Sequence, residues 1–210
     1  MRTLLVIGAG GHGKAVAEAA LLSGKWQRIA FVDDRWPGLR ETFGWPVVAD
    51  VAGLAALDIP CEGAIAAIGN NDLREQCVNA IHGAGLQLVS IVHPRACLSA
   101  SAVIGASTAI MALAMVGVDA VIAEGVIVNA NATVDHDATL GAFAHLGVGA
   151  QLAGGVNIGA RAWLQAGCSA GYRVVVGDGV VCAPGSVLQA EGWLLVRLCD
   201  VVGFDLGVFI

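Results

Sequence analysis

The chain has 210 residues, room for one large or two small domains, and is 57% hydrophobic with 29 Gly and only 13% charged residues. That composition excludes disorder and suits short elements stacked through small side chains. A formal charge of −6 and a pI near 5.2 argue against binding a nucleic-acid backbone, which needs clustered Lys and Arg.

Residues 3–7 (TLLVI) predict a buried strand, and Gly8 to Gly13 a tight glycine loop. Met1 and Arg2 lead directly into that strand, without the pattern of a signal peptide. Lys14 to Ser23 predicts a helix ended by Gly24, and Ile29 to Val32 a second strand stopping at Asp33 and Asp34. A polar excursion bearing Trp and Pro follows to Pro46. Strand-like and helical segments then alternate through Ala64–Ile68, Asn71–Gly83 and Leu86–Ile91. This is a βαβ pattern, hence a small α/β, Rossmann-like domain with a parallel sheet over residues 1–92. His93-Pro94 marks its end, because proline cannot donate to a continuing ladder.

From Ala96 to Glu191 the sequence repeats every six residues, in sixteen hexads. The third position is Leu, Ile or Val in fourteen of the sixteen, and the first is almost always Ala, Val, Ser, Thr or Cys. A period held this long marks a stacked repeat, and six points to a β-helix rather than a helical solenoid. Each hexad supplies a short strand whose third residue, and the small residue two places earlier, point inward. The fourth position is Gly, Asn or Asp in nine hexads (105, 117, 129, 135, 141, 147, 159, 171 and 177). Those types tolerate positive φ, so the fourth position is expected to turn the corners. Ala96 to Val118 is uncharged and long enough for a membrane span. It is dominated by small residues, though, and keeps the phase of the charged hexads downstream, which assigns it to the solenoid. Six Cys (61, 77, 97, 168, 182 and 199) are scattered without a C-x-x-C pair, as for reduced core thiols in a cytoplasmic protein.

Gly8-Ala9-Gly10-Gly11-His12-Gly13 satisfies G-x-G-x-x-G after a strand, and Asp33 stands twenty residues beyond Gly13. That is the dinucleotide-binding fingerprint. A helix N-terminus approached through glycines, however, binds phosphate whichever nucleotide carries it. The segment ahead of the repeats is also short for a two-halved NAD domain.

IGAGGHGK (7–14), FVDD (31–34) and AIGNND followed by Arg74 (67–74), ahead of a hexapeptide domain, resemble the sugar O-acyltransferase family related to sialic-acid O-acetyltransferases. Within it the likeness is to bacterial N-acetyltransferases acting on nucleotide-linked 4-amino-sugars, of the bacillosamine-pathway type. It covers the chain to about Leu188. The resemblance implies a left-handed β-helix domain over residues 93–191, three hexads to a triangular coil, a handedness opposite to the usual crossover preference. It implies a nucleotide sugar, UDP-linked by preference, held by the N-terminal domain. Gly10, Gly11 and His12 would lie along that ligand, Asp33 and Asp34 near its uridine part, and Gly69 and Asn70 beside it. The implied donor is acetyl-CoA, bound along the β-helix, and the implied assembly is a homotrimer with active sites between subunits.

Acetyl transfer to an amine needs a base to take the proton released as nitrogen attacks the thioester carbonyl. Five His occur, at 12, 82, 93, 136 and 145. His136 is flanked by Asp135 and Asp137 in a repeat otherwise nearly free of acids. A neighbouring carboxylate fixes the imidazole tautomer and raises its basicity. In the related acetyltransferases the matching His is the general base and the acid after it raises its basicity; the positions here are His136 and Asp137, with Asp one methylene shorter than Glu. His82 and His93 are expected in solvated or packing roles. His145 lies half an eighteen-residue coil from His136, so the two rings should not share an edge of one subunit. The resemblance brings His145 of one chain towards the donor near His136 of another, bonding the thioester carbonyl. Asn129 is carried over as an amide contacting the amino-sugar. Gly154, Ala166 and Pro184 match donor contacts, with glycine at 154 and 155 letting the pantetheine arm approach the backbone.

Other readings stand beside this one. The same machinery would serve a sugar hydroxyl, and the glycine loop suits an NAD-dependent oxidoreductase. A metal enzyme like the γ-type carbonic anhydrases needs three convergent His, for which this chain offers only remote candidates, so no metal is expected. A non-catalytic solenoid is a further option. The run from Gly192 to Ile210 is apolar apart from Arg197, Asp200 and Asp205. It departs from the family, whose members close with a proline-containing segment, and both capping the solenoid and packing in a trimer stay open for it.

Overall fold

The structure, a computed structural model, describes residues 1–190, so the apolar run from Gly192 lies outside the described residues. The N-terminal sheet comprises β1 (Thr3–Ile7), β2 (Arg28–Val32), β3 (Glu41–Thr42), β4 (Trp45–Ala49) and β5 (Gly63–Ala66), in the order β3-β4-β2-β1-β5. Central β1 is buried from Leu4 to Ile7 because it has parallel partners on both sides, Val6 opposite Phe31 and Ile65. The β3–β4 hairpin lies in the stretch expected as an excursion; Pro46 is tolerated there opposite Glu41, in the pair at the sheet edge.

Helix α1 (Gly11–Leu22) starts three residues before the expected Lys14. Gly13 fits its first turn because any Cβ there would overlap the Gly8 carbonyl oxygen. Gly24, at φ +70°, follows its last turn. Helix α2 spans Asn71–Gly83 as expected, capped by Asn70, whose Oδ1 accepts from Leu73 N at 2.9 Å.

Seventeen two-residue strands, from Ile91–Val92 to Val187–Leu188, then build a left-handed β-helix. They form three flat parallel sheets of six, five and six strands. Each pairs with strands one coil of eighteen residues away, as in Val116↔Val134↔Leu152. The third-position side chains and the small first-position residues fill one continuous core. Each fully buried Leu, Ile or Val there contributes about 1.5–3 kcal/mol. The uncharged stretch forms coils of this solenoid, and among the described residues no helix is long and apolar enough to cross a membrane. The ladder begins at Ile91, before His93-Pro94: His93 N donates to Ile110 O at 2.8 Å, and Pro94 falls in the corner that follows.

The corners are not turned where expected. Positive φ occurs at the sixth position of every hexad from Ser107 to Gly185, including Leu113, Asp137 and Phe143, and not at the fourth. The fourth-position glycines answer to stacking instead. A Cβ on Gly105, Gly141 or Gly159 would come within 2.5 Å of backbone atoms of the next coil, and on Gly117 within 2.8 Å of His136 N.

One sheet, carrying Ile91, Ala109, Ile127, His145 and Trp163, is covered by the N-terminal domain. Ile91, Ala109 and Met111 share a core with Leu4, Val6 and Val16, while Phe143 packs with Ile7, Val78 and Ile81. The edge between the other two sheets, which carries His136, is therefore the one remote from that domain.

Candidate active site

The glycine loop opens at the carboxyl ends of β1 and β5, where α/β sheets bind ligands. Its glycines divide by role. Gly8 (φ +107°) and Gly13 are packed against the protein, whereas a Cβ on Gly10 or Gly11 would meet nothing within 4 Å. Both are exposed. The N-terminus of α1 has neither a side-chain cap nor an acidic residue in its first turn, which leaves its N–H groups to an anion. Asp33 is already engaged: Ala9 N donates to it at 2.8 Å, and Arg35 pairs with it at 2.7 Å. The Arg35 hydrogen bond, aided by that of Ala9, holds its carboxyl down at about 2 against partial desolvation. Exposed Asp34 accepts from Val51 N at 3.0 Å.

Beside this loop, the β5–α2 turn is tied to the β-helix by Arg74, which is fully buried. Its guanidinium donates to the carbonyls of Gly125 (2.6 Å), Phe143 (2.6 Å), Ile68 (2.9 Å) and Gly69 (3.3 Å) and to Asn71 Oδ1 (2.8 Å). All five acceptors are neutral. Burial brings the guanidinium down to about 10. His145 lies under the same turn, Nδ1 3.1 Å from Gly69 O and its ring stacked on Trp163 at 5.4 Å. Burial, then Arg74, lowers His145 to about 3 and His12 to about 4. Both rings are thus neutral at pH 7. The Gly69 carbonyl fixes the Nδ1–H tautomer of His145, so its buried Nε2 presents a lone pair and no proton. In that state Nε2 has no proton to offer a thioester carbonyl, itself an acceptor.

His136 meets the opposite environment. Its corner follows the strand Thr133–Val134, and the left-handed backbone of Asp137 (φ +58°) turns that carboxylate back onto the ring. Nδ1 lies 2.7 Å from Asp137 Oδ2, and His136 N donates to Asp135 Oδ1 at 2.7 Å. The side chain is 49% exposed. The Asp137 hydrogen bond raises its pKa above the usual histidine value, against slight desolvation and with help from the charges of Asp135 and Asp137. The arrangement commits Nδ1 to the acid and leaves Nε2 as a basic atom. One coil on, Gly154 is buried against the Nε2–Cε1 edge of the ring. Tyr172, a further coil on, has its ring 6.5 Å from that of His136.

Within one chain the expected site residues fall in three places. Gly10, Gly11, His12, Asp33, Asp34, Gly69, Asn70 and His145 belong to the N-terminal domain or the sheet beneath it. Asn129, Ala166 and Pro184 lie at the corners leaving that sheet, with Asn129 Oδ1 turned onto Ala130 N at 2.8 Å. His136, Asp137 and Gly154 share the remote edge. Among the described residues, no group of three or more His, Cys, Asp or Glu side chains is placed to hold a metal ion.

Residues 3–81 match the PglD N-terminal domain. The acetyltransferase domain of PglB from Neisseria gonorrhoeae superposes with a TM-score of 0.84 at 39% identity, covering 90% of this chain and 91% of that one. Its complex with acetyl coenzyme A gives 0.83 at 38%, covering 90% and 93%. The chain belongs to the PglD-type family of hexapeptide-repeat sugar acetyltransferases. PerB from Caulobacter crescentus, solved with CoA and GDP-perosamine, gives a TM-score of 0.84 at 34% identity over 91% of this chain and 92% of that chain. UDP-N-acetylbacillosamine N-acetyltransferase of Bacillus subtilis is 34% identical over 115 residues, a match spanning about half of each protein, 53% of this chain and 52% of that one.

At the docked junction the sequence motif names Arg74 but not its role as a tie between the domains. Arg74 carried a signal: with Cys77, Val78 and Ile81 it completes the buried stripe of α2. Nothing local announced the Trp163–His145 stack, which depends on which face the N-terminal domain covers.

Proposed function

We propose that this protein is an acetyl-CoA-dependent N-acetyltransferase acting on the amino group of a nucleotide-linked 4-amino-sugar. The observation that carries the reading is the 2.7 Å contact between His136 Nδ1 and Asp137, which leaves Nε2 free and basic at an exposed edge. As the C–N bond to the acetyl carbon forms and the C–S bond to CoA breaks, Nε2 accepts the proton shed by the amine and CoA leaves as the thiolate. Gly10, Gly11 and the N-terminus of α1 receive the diphosphate, and the turn at Gly69 and Asn70, propped by His145, flanks the sugar. Acetyl-CoA runs along the β-helix past Gly154, Ala166 and Pro184; for His145 the geometry favours shaping the turn over touching the thioester.

The separation of the nucleotide crevice from the His136 edge on one chain supports a homotrimer. Facing subunits would set the nucleotide crevice and the donor edge of one chain against His136 of the next. Asn129 faces the acceptor in that arrangement. Five free thiols among the described residues suit a reducing, cytoplasmic setting. The test is CoA release from acetyl-CoA with UDP-, GDP- and dTDP-linked 4-amino-sugars and their 4-hydroxy counterparts. Turnover with one amino-sugar and none with its hydroxyl partner is expected; turnover of the hydroxyl series alone would refute the reading.

A further inference from the structure

We propose that Gly154 is a positioning residue, the single opening in the fifth-position columns that lets the His136 imidazole lie against the next coil with Nδ1 on Asp137. The proposal rests on the assignment of His136 as the base. Across the sixteen hexads the fifth position is Ala eight times, and Gly only at 154, eighteen residues beyond His136. The backbone does not demand glycine there: positive φ belongs to Gly155, not to Gly154. Space does. A Cβ on Gly154 would overlap Nε2 and stand 2.5 Å from Cε1, and the three atoms nearest to it all belong to the His136 ring.

The coil spacing cannot widen to absorb that clash. Gly155 N donates to His136 O at 2.9 Å and Arg173 N to Gly154 O at 3.0 Å, fixing the coil-to-coil spacing. Asp135 holds the His136 amide at 2.7 Å. A methyl at 154 must therefore rotate the imidazole off Asp137, since neither backbone can retreat. The column reads His136, Gly154, Tyr172, with the Arg173 guanidinium 4.9 Å above the Tyr172 ring. The ionisable groups facing the imidazole (Asp135, Asp137, Tyr172 and Arg173) are all retained when only residue 154 changes.

The experiment compares Gly154→Ala with Gly177→Ala, whose Cβ would meet only Val180 at an ordinary 3.7 Å. Three quantities are read on the full-length enzyme: steady-state kinetics, the NMR titration of His136, and melting with and without His136→Ala. Gly154→Ala should lower kcat about 10²-fold, as for a reacting group displaced by an ångström, whatever its effect on the KM for acetyl-CoA. The His136 titration should fall towards that of an ordinary histidine, and any loss of melting temperature should vanish in the His136→Ala background. Gly177→Ala should behave as the parent in all three. A raised KM for acetyl-CoA with kcat and the His136 titration unmoved would overturn the proposal and leave Gly154 as a donor contact alone. A shifted titration with kcat unmoved would uphold the positioning and remove His136 from the chemistry instead.

Discussion

His136 and His145 stand nine residues apart on the same β-helix, yet their surroundings drive them in opposite directions. The ring of His145 is sealed between Trp163, Gly69 and the N-terminal domain, near a guanidinium whose five hydrogen-bond acceptors among the described residues are neutral, and is held neutral down to about 3. The ring of His136 sits on the bare edge with a carboxylate at 2.7 Å, and its proton affinity is raised. The identical hexad scaffold supplies both, so the solenoid itself tunes neither. What differs is whether a face is covered and which charge lies beside it. The covered imidazole can only orient neighbours; the bare one can exchange protons with a substrate.

The most severe way to break that contrast is to delete the exposed ring. His136→Ala should lower kcat by about 10²–10⁴-fold, the usual contribution of a general base. Melting temperature should stay near the parent value, because the side chain is half-exposed and outside the core. Parent-like turnover in this variant would remove the base assignment. On the covered side the corresponding lesion is Arg74→Met, which strands the buried carbonyls of Gly125 and Phe143 and the part-buried carbonyl of Ile68. A loss of about 3 kcal/mol or more in unfolding free energy follows from that many unsatisfied acceptors, read by denaturant titration.

A pH series separates the two environments next. His12 and His145 titrate at about 4 and about 3 in the folded chain, against 6.5 for a free histidine. Below pH 6.5 the unfolded chain therefore binds protons that the folded chain refuses. Stability should fall as pH drops from about 6.5 and level off once both folded rings are protonated. His136, displaced upwards, works the other way: its contribution is complete at low pH and fades as pH rises through its folded value. Melting curves between pH 4 and about 8 should show the first trend dominating, and a flat profile would contradict the burial of these two rings.

The parts of this structure visible in the sequence are those set by near neighbours. Period six and the third-position aliphatics suffice for the coils, since each side chain's direction follows from its place along a two-residue strand. The fourth position misleads because glycine answers two different demands, left-handed backbone and close approach. Only the second operates at Gly105 or Gly141, while Leu113 and Phe143 accept the left-handed backbone without being glycine. The His136–Asp137 pair was legible because the two residues are adjacent. The burial of His145 was not, since it depends on the N-terminal domain docking across seventy-six residues of chain to put the Gly69 carbonyl on its Nδ1.

The finest probe of the contrast changes one atom beside the exposed ring. Asp137→Asn keeps size and the left-handed corner, for which Asn is well suited, but removes the charge. Two consequences separate. The amide no longer favours the protonated ring, so the acidic limb of kcat/KM, which tracks loss of the proton from His136, should move to lower pH. The plateau should nevertheless drop, by about tenfold, because a weaker base accepts the amine proton less readily and the Nδ1–H tautomer is less firmly held. A rotation of the introduced amide can still offer its oxygen to Nδ1, which is why the drop is smaller than for deleting the ring. A limb that stays in place while the plateau falls would mean that Asp137 acts on the ring's orientation alone. A limb that moves to higher pH would contradict the electrostatic account of His136.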